Sequence, residues 1–343
     1  MVDDQRPSGG GDRCLADAPE SSRHVRTADR IRTVSRMSRS HMTVDDFKAE
    51  WRTAENIPYR VGAGEWEGFR LSNLTIEQVL QEAGSWAASF QEIERPWLCW
   101  NVDDDWCLVQ QRLVREVGWT PIVGFDPRVG PPPLIPGAVL VDFNARLKLP
   151  TMWMHFPLEF IFCFCDRLAY WHADCLLRIE KMRRYAQMFA DLRDGEMAAV
   201  RPRGTWRERV FPTKRRYWEV LGCSTRGASR SQFENGCGWW MTFPAHVSNT
   251  AEQTAQRRIY HWECGVGIRF WAAKCGGVVQ EIEAADIAEG HFTGIGRKDY
   301  RRASPQNFKR DLSKELSLNN DLRAACAKLE ISHLLGAALP TRG

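Results

Sequence analysis

Short apolar runs alternate with amphipathic stretches along the middle of the chain. The amphipathic stretches place apolar side chains at helical spacing and lie at 74–90, 106–117 and 176–192. The apolar runs between and after them lie at 96–102, 121–126, 138–143, 168–171, 197–200 and 277–282. Short, continuously apolar runs are typical of strands that are buried on both faces. The alternation therefore predicts an α/β fold, a mostly parallel sheet flanked by helices.

The same pattern divides the chain into four segments. Residues 1–41 are rich in Ser, Gly, Arg and Asp without apolar periodicity, which predicts a disordered N-terminal tail, with Met42 as a possible alternative start. Residues 42–95 are expected to be helical or irregular. Residues 96–300 form the predicted α/β domain, and residues 301–343 a helical C-terminal tail.

Composition narrows the class of protein without naming its reaction. The 47 Lys and Arg against 43 Asp and Glu give a net charge of +4, which is too balanced to indicate a nucleic-acid partner. Fifteen Trp and sixteen Phe suit either a core with deep clefts or a stacking site for sugars or bases. Eleven Cys without zinc-finger spacing indicate buried, reduced thiols.

Localisation is expected to be cytoplasmic. The N-terminal residues contain no apolar run of the kind that marks a secretory signal. The longest apolar run, 152–165, is too short to cross a bilayer and contains His155 and Glu159. It is therefore predicted to be a core segment, and no membrane span is expected.

The end of the run at 168–171 carries the clearest chemical signal. His172 and Asp174 follow it directly, and the chain then becomes apolar again. In open α/β sheets, ligands bind at the carboxyl ends of strands. Two side chains that are two residues apart on an extended chain share a face, so these two can converge on one cation. The pattern predicts a metal or phosphate-sugar site.

A second candidate segment, 218–240, combines glycines with Glu234, Asn235, Trp239 and Trp240. Indoles cover the C–H faces of sugars, and carboxylates or amides bind their hydroxyls. A glycine-rich turn with two core tryptophans explains the same residues equally well. The basic segment 201–216 is read either as a clamp for a diphosphate or as a solvated charged surface.

From about Pro96 to Thr293 the chain resembles the GT-A class of nucleotide-sugar glycosyltransferases. The resemblance lies in a nucleotide-binding α/β half, an apolar strand that ends in an Asp-x-Asp-like motif, here LAYWHADCLL, and an acceptor half. It implies a GT-A-like, Rossmann-like domain, a sugar donor, an unknown acceptor, and Mn²⁺ or Mg²⁺ held by the motif. His172 replaces the first carboxylate, so Asp174 is the ligand carried over, and His291 fills the place of a third.

The resemblance also implies roles for the remaining candidates. Glu234 is the expected catalytic base of an inverting reaction. Asn235, Trp239 and Trp240 would bind the acceptor. Asp103, Asp104 and Asp105 follow the strand at 96–102, where a nucleotide base and ribose would lie. An acidic N-cap of the next helix accounts for these aspartates equally well.

Two other functions remain open from the sequence. A metal-dependent nuclease or phosphodiesterase would use Asp142, His172, Asp174 and the basic segment 201–216, with tryptophans stacking on bases. A catalytically inactive binding protein of the same fold is the other alternative, because the Asp-x-Asp-like motif is incomplete.

Overall fold

The computed structural model describes residues 76–149, 152, 154–201, 204, 206, 210, 216–235, 237–239, 265–292 and 322–336. The predicted disorder of residues 1–41 and the possible start at Met42 lie outside these residues. So do most of the basic segment 201–216 and Trp240.

From residue 76 to residue 200, helices and strands alternate in the order that the apolar pattern predicts. The strands are β1 (Pro96–Asn101), β2 (Thr120–Phe125), β3 (Val139–Leu140), β4 (Arg167–Trp171), β5 (Glu196–Val200), β6 (Trp218–Thr225) and β7 (Val278–Ile282). The helices are α1 (Ile76–Ala88), α2 (Asp104–Glu116), α3 (His155–Ile161), α4 (Ile179–Asp191), α5 (Arg226–Glu234), α6 (Val266–Lys274) and α7 (Ala284–Ala288). Residues 322–328 are also helical, and a 3-10 turn follows at Ser332–Leu335.

The seven strands form one sheet in the order β3-β2-β1-β4-β6-β5-β7. The pairs β1–β2, β1–β4, β2–β3 and β5–β7 are parallel. Strand β6 runs antiparallel to both of its neighbours, β4 and β5. The predicted fold class, an α/β fold with a mostly parallel sheet and flanking helices, is confirmed.

Helices cover both faces of the sheet. Leu168 and Tyr170 of β4 contribute to the core beneath α1, α3, α5 and α6. Ala169 and Trp171 of the same strand contribute to the core beneath α2, α4, α7 and residues 322–334. All four side chains are essentially inaccessible to solvent. Burial on both faces explains why β4 reads as a continuous apolar run rather than as an alternating one.

The first part of the segment 218–240 is strand β6 followed at once by helix α5, and not the glycine-rich turn of one of its two interpretations. Strand β6 is stabilised by pairing with a strand on each side, and the local sequence pattern cannot reveal such long-range pairing. Gly222 is needed there because a Cβ atom would lie 2.6 Å from both the Ala198 carbonyl oxygen and the Tyr170 hydroxyl. This glycine therefore allows a close sheet contact rather than a ligand contact.

Among the described residues, each helix is too short or too polar to span a bilayer.

Candidate metal centre

The sheet has a topological switch point between β1 and β4. From β1 the chain continues to β2 and β3 on one side, whereas β4 adds on the other side. Ligands of open α/β sheets bind in the crevice outside the carboxyl ends of the strands at this point. Asp103 follows the end of β1, and His172 and Asp174 follow the end of β4. The predicted motif therefore lies where this architecture favours a ligand.

The turn that carries His172 and Asp174 is held from two sides. The His172 N–H donates to the Val220 carbonyl of β6 (2.9 Å), and the Cys175 N–H donates to the His172 carbonyl (3.0 Å). From α2, the fully buried Gln110 amide donates to the His172 and Cys175 carbonyls at 2.8 and 2.9 Å. The turn is thus fixed before any ligand binds.

A short antiparallel contact brings His291 to this turn. The Phe292 N–H donates to the Asp174 carbonyl (2.8 Å), and the Leu176 N–H donates to the Gly290 carbonyl (2.9 Å). This approach requires Gly290, because a Cβ atom there would lie 1.7 Å from the Leu176 carbonyl oxygen. As a result, His291 Nε2 lies 3.2 Å from Asp174 Oδ1.

The three residues predicted to bind metal are adjacent in space. One ligand atom from each of His172, Asp174 and His291, here called the first triad, lies within 4.8 Å of the other two. Their side chains are 9%, 6% and 8% exposed. His172 Nδ1 is the nitrogen that faces Asp174, at 3.8 Å from Oδ1.

A second group of ligand atoms, His155, His172 and Glu219, meets the same criterion, and it is here called the second triad. His172 Nε2 lies 3.8 Å from Glu219 Oε1. His155 is the first residue of α3, and Glu219 lies in β6 beside a register shift between β5 and β6. Bulges next to functional sites commonly redirect a side chain. Neither His155 nor Glu219 was predicted from the sequence to bind a metal ion. The only signal for His155 was an imidazole within an apolar run.

The ligand types favour a transition-metal ion. Each triad offers two imidazoles and one carboxylate. Nitrogen ligands suit Zn²⁺, Mn²⁺, Fe²⁺ or Co²⁺, whereas Mg²⁺ and Ca²⁺ prefer sites made only of oxygen. Asp174 Oδ1 and His291 Nε2, 3.2 Å apart, are already as close as two ligands of one ion with bonds of about 2.0–2.2 Å, whereas His172 Nδ1, 3.8 Å from Asp174 Oδ1, would have to move closer. The ligand set of each triad fits an ion of this class.

The neighbouring Cys175 thiol belongs to neither triad. Burial raises the pKa of Cys175 well above its ordinary value, and the negative charge of Asp174 raises it further. Its side chain packs in the core beneath α2 and α4.

The aspartates after β1 lie at the same sheet edge, and one of them caps a helix. Asp103 accepts hydrogen bonds from the Asp105 and Trp106 N–H groups at 3.1 and 3.2 Å, which makes it the N-cap of α2. Asp104 accepts a 3.0 Å hydrogen bond from the Asn101 amide. The capping alternative thus fits all three aspartates, because Asp104 and Asp105 lie half-buried in the first turn of α2.

Asn235 and Trp239, the described residues of the predicted acceptor site, belong to neither triad. Trp239 is 2% exposed and packs edge-on against Tyr170 in the core, so its indole offers no face to a sugar. The Asn235 amide donates to the Ser231 carbonyl of its own helix (2.8 Å). These placements correct the expected stacking role of Trp239, because a core contact occupies the indole. Trp240 lies outside the described residues.

The predicted catalytic base, Glu234, is the exposed last residue of α5 and belongs to neither triad. Its role as a base stays a prediction.

Comparisons with known proteins find no family model, no curated protein and no solved structure that matches the chain. Its function is therefore inferred from the fold and from the site itself.

We expect Gln110→Met to weaken metal binding as well as stability. Methionine keeps the length of the side chain but leaves the His172 and Cys175 carbonyls without the amide donor, which costs about 1–3 kcal/mol of stability. The turn then loses its support from α2, so affinity for Co²⁺ or Mn²⁺ in equilibrium dialysis should fall about 10–100-fold.

The neighbouring Gln111 provides a matched control. Its amide bonds the Pro133 carbonyl and the Ile135 N–H, each at 3.0 Å, and neither belongs to the triads. Gln111→Met should cost similar stability and leave metal affinity unchanged. Equal loss of metal affinity in both variants would show that Gln110 does not position the turn.

Proposed function

We propose that this protein transfers a sugar from a nucleotide-sugar donor to an acceptor, assisted by a divalent metal ion at the first triad. The observation that carries the proposal is the convergence of His172, Asp174 and His291 at the carboxyl edge of the sheet, beside the switch point. A cation at this position would face any diphosphate that binds in the crevice.

The strand order supports a nucleotide in the neighbouring half of the crevice. The order β3-β2-β1-β4, with all four strands parallel, is also the order of the first four strands of doubly wound dinucleotide-binding folds. In such sheets the nucleotide lies at the carboxyl end of β1. Asp104 and Asp105 lie there, and their carboxylates are suited to accept a ribose hydroxyl or a base N–H.

The residues of the first triad bind and orient the donor in this mechanism. Asp174 and the two imidazoles hold the cation, and the Gln110 amide keeps the turn in place. When bound, a divalent cation supplies positive charge that stabilises the leaving diphosphate. Glu234 stays the predicted base of an inverting transfer. A retaining transfer requires no such base, so the proposal does not depend on it.

The placement of the carboxylates argues against the phosphodiesterase alternative. Two-metal phosphodiesterases hold their ions about 3.5–4 Å apart between shared carboxylates. Here the two triads share an imidazole instead. Asp142, which that alternative needs, is exposed after β3 and accepts from the Asn144 N–H (2.9 Å). It is not part of either triad.

A thermal-shift panel of nucleotide sugars, with Mn²⁺ or with EDTA, tests the proposal. A donor present at 100 times its Kd raises the free energy of unfolding by about 2.7 kcal/mol. We expect one nucleoside diphosphate sugar to stabilise the protein in Mn²⁺ and not in EDTA, and the matching nucleoside monophosphate to have little effect. Equal stabilisation in EDTA, or none by any donor, would contradict the proposal.

Release of the nucleoside diphosphate separates a transferase from an inactive binding protein. A transferase, given a panel of acceptors or water, should release the diphosphate from the donor that stabilises it. Stable binding without release in the presence of every acceptor would favour the binding-protein alternative.

A further inference from the structure

The His172 ring lies between two similar sets of ligands. Its Nδ1 is 3.8 Å from Asp174 Oδ1, and its Nε2 is 3.8 Å from Glu219 Oε1. The ring centroid is 5.5 Å from that of His291, with the planes tilted by 59°. It is also 5.5 Å from that of His155, with a tilt of 54°. A carboxylate and an imidazole thus accompany His172 on each side, at matching distances and angles.

We propose that His155, His172 and Glu219 form a second position for a transition-metal ion, and that the two positions exclude each other. Two imidazoles and one carboxylate are a common protein ligand set of catalytic zinc, with one or more positions left for water or substrate. The ligand atoms of the second triad, like those of the first, lie within 4.8 Å of one another. The argument from ligand type and separation therefore applies to both positions.

Mutual exclusion holds as long as His172 binds as a neutral imidazole and does not lose its second proton to become a bridging imidazolate. A neutral imidazole has one nitrogen with a lone pair and one that carries a proton. When His172 Nδ1 binds an ion beside Asp174, its Nε2 carries the proton and points towards Glu219 as a donor. When Nε2 binds an ion beside Glu219, Nδ1 carries the proton and points towards Asp174. One ion per chain is the expected maximum.

The second position differs from the first in solvent exposure and in the segments of the chain that supply its ligands. Glu219 is 18% exposed, whereas Asp174 is 6% exposed. Its ligands come from α3, from the end of β4 and from the start of β6, so it has no residue from the 290–292 segment. An ion there would take His172 from the first triad. If the proposed function holds, excess transition-metal ion would then compete with donor binding.

Counting bound Co²⁺ in charge-removing variants tests the two positions without any nucleotide. The variants are Asp174→Asn, Glu219→Gln and the double variant, each checked by circular dichroism and desalted before metal analysis. Each single variant should retain about one Co²⁺ per chain, because one triad stays complete. The double variant should bind Co²⁺ at least 100-fold more weakly. Loss of a residue that only hydrogen-bonds to a metal ligand lowers metal affinity about 10–100-fold, and loss of a ligand itself should lower it more.

The visible absorption of bound Co²⁺ adds a second readout. It should differ between the two single variants, because the ion is bound by different residues in each. His155→Gln in the Asp174→Asn background replaces Glu219→Gln if the latter fails to fold, and it should likewise abolish binding.

Two results would overturn the second position: loss of Co²⁺ in Asp174→Asn alone, and retention of a full ion in the double variant. Loss in Asp174→Asn alone would indicate that Glu219 only orients His172 from outside. Two ions per chain in the parent would instead overturn the mutual exclusion of the two positions. The proposed transferase function is judged separately, because it depends on donor binding, which this experiment does not measure.

Discussion

Asp174→Asn is expected to abolish metal-dependent binding of nucleotide sugars while the fold persists. Asparagine keeps the shape of the side chain and removes the charge that the first triad contributes to a cation. Loss of an outer-shell partner of a metal ligand costs about 10–100-fold in affinity, and loss of a ligand costs at least as much. Donor affinity in Mn²⁺, measured by calorimetry, should therefore fall at least 100-fold. The thermal melt without metal should stay cooperative.

Asp142→Asn serves as the control for Asp174→Asn. It removes the same charge from an exposed position after β3, outside both triads. Donor binding should be unchanged in this variant. If Asp174→Asn bound donor in Mn²⁺ as tightly as the parent, the proposed mechanism would be wrong at its centre. If Asp142→Asn lost donor binding instead, the phosphodiesterase alternative, which uses Asp142, would gain support.

Gly290→Ala should weaken the first triad without removing any ligand. The added Cβ would lie 1.7 Å from the Leu176 carbonyl oxygen and 2.9 Å from the Leu176 carbonyl carbon. Backbone atoms cannot rotate away, so the contact between residues 290–292 and 174–176 must open. Such overpacking typically costs about 1–3 kcal/mol of stability. Since this contact places His291 beside Asp174, metal-dependent donor affinity should fall at least roughly tenfold.

Gly195→Ala is the control for Gly290→Ala. It distinguishes the steric clash at residue 290 from the general effect of replacing a glycine with alanine. A Cβ atom at Gly195 would meet no atom within 4 Å, although its φ of +95° is strained for alanine. This variant should lose about 1–2 kcal/mol of stability and keep its affinity for donor. A Gly290→Ala variant that bound donor normally would show that His291 does not depend on the contact.

Much of the fold was predictable because its signals are local. Strands β1, β2, β4 and β5 are buried on both faces, and such strands read as apolar runs between amphipathic helices. The site at His172 and Asp174 was predictable for a related reason. Polar residues directly after a buried strand must lie at a sheet edge, and the edge is where such sheets bind ligands. The spatial association of His291 with them was expected only from the resemblance.

The remaining features depend on contacts between distant segments. Strand β6 was missed because its glycine and polar residues are stabilised by pairing with β4 and β5. With β6 unrecognised, Glu219 had no reason to be placed at the site. His155 was assigned to the core because the apolar residues around it do pack there. Trp239 was misread because its sequence neighbours, and not its packing against Tyr170, suggested an exposed indole.

The dispersed origin of the two triads has a consequence for how the protein folds. Their ligands come from α3, the end of β4, the start of β6 and the segment after α7, so no part of the chain contains a complete triad. Contacts between distant segments form late, because loop closure must precede them. A bound ion would then strengthen contacts that are absent from the folding transition state. Such an ion would slow unfolding and leave the rate of folding nearly unchanged.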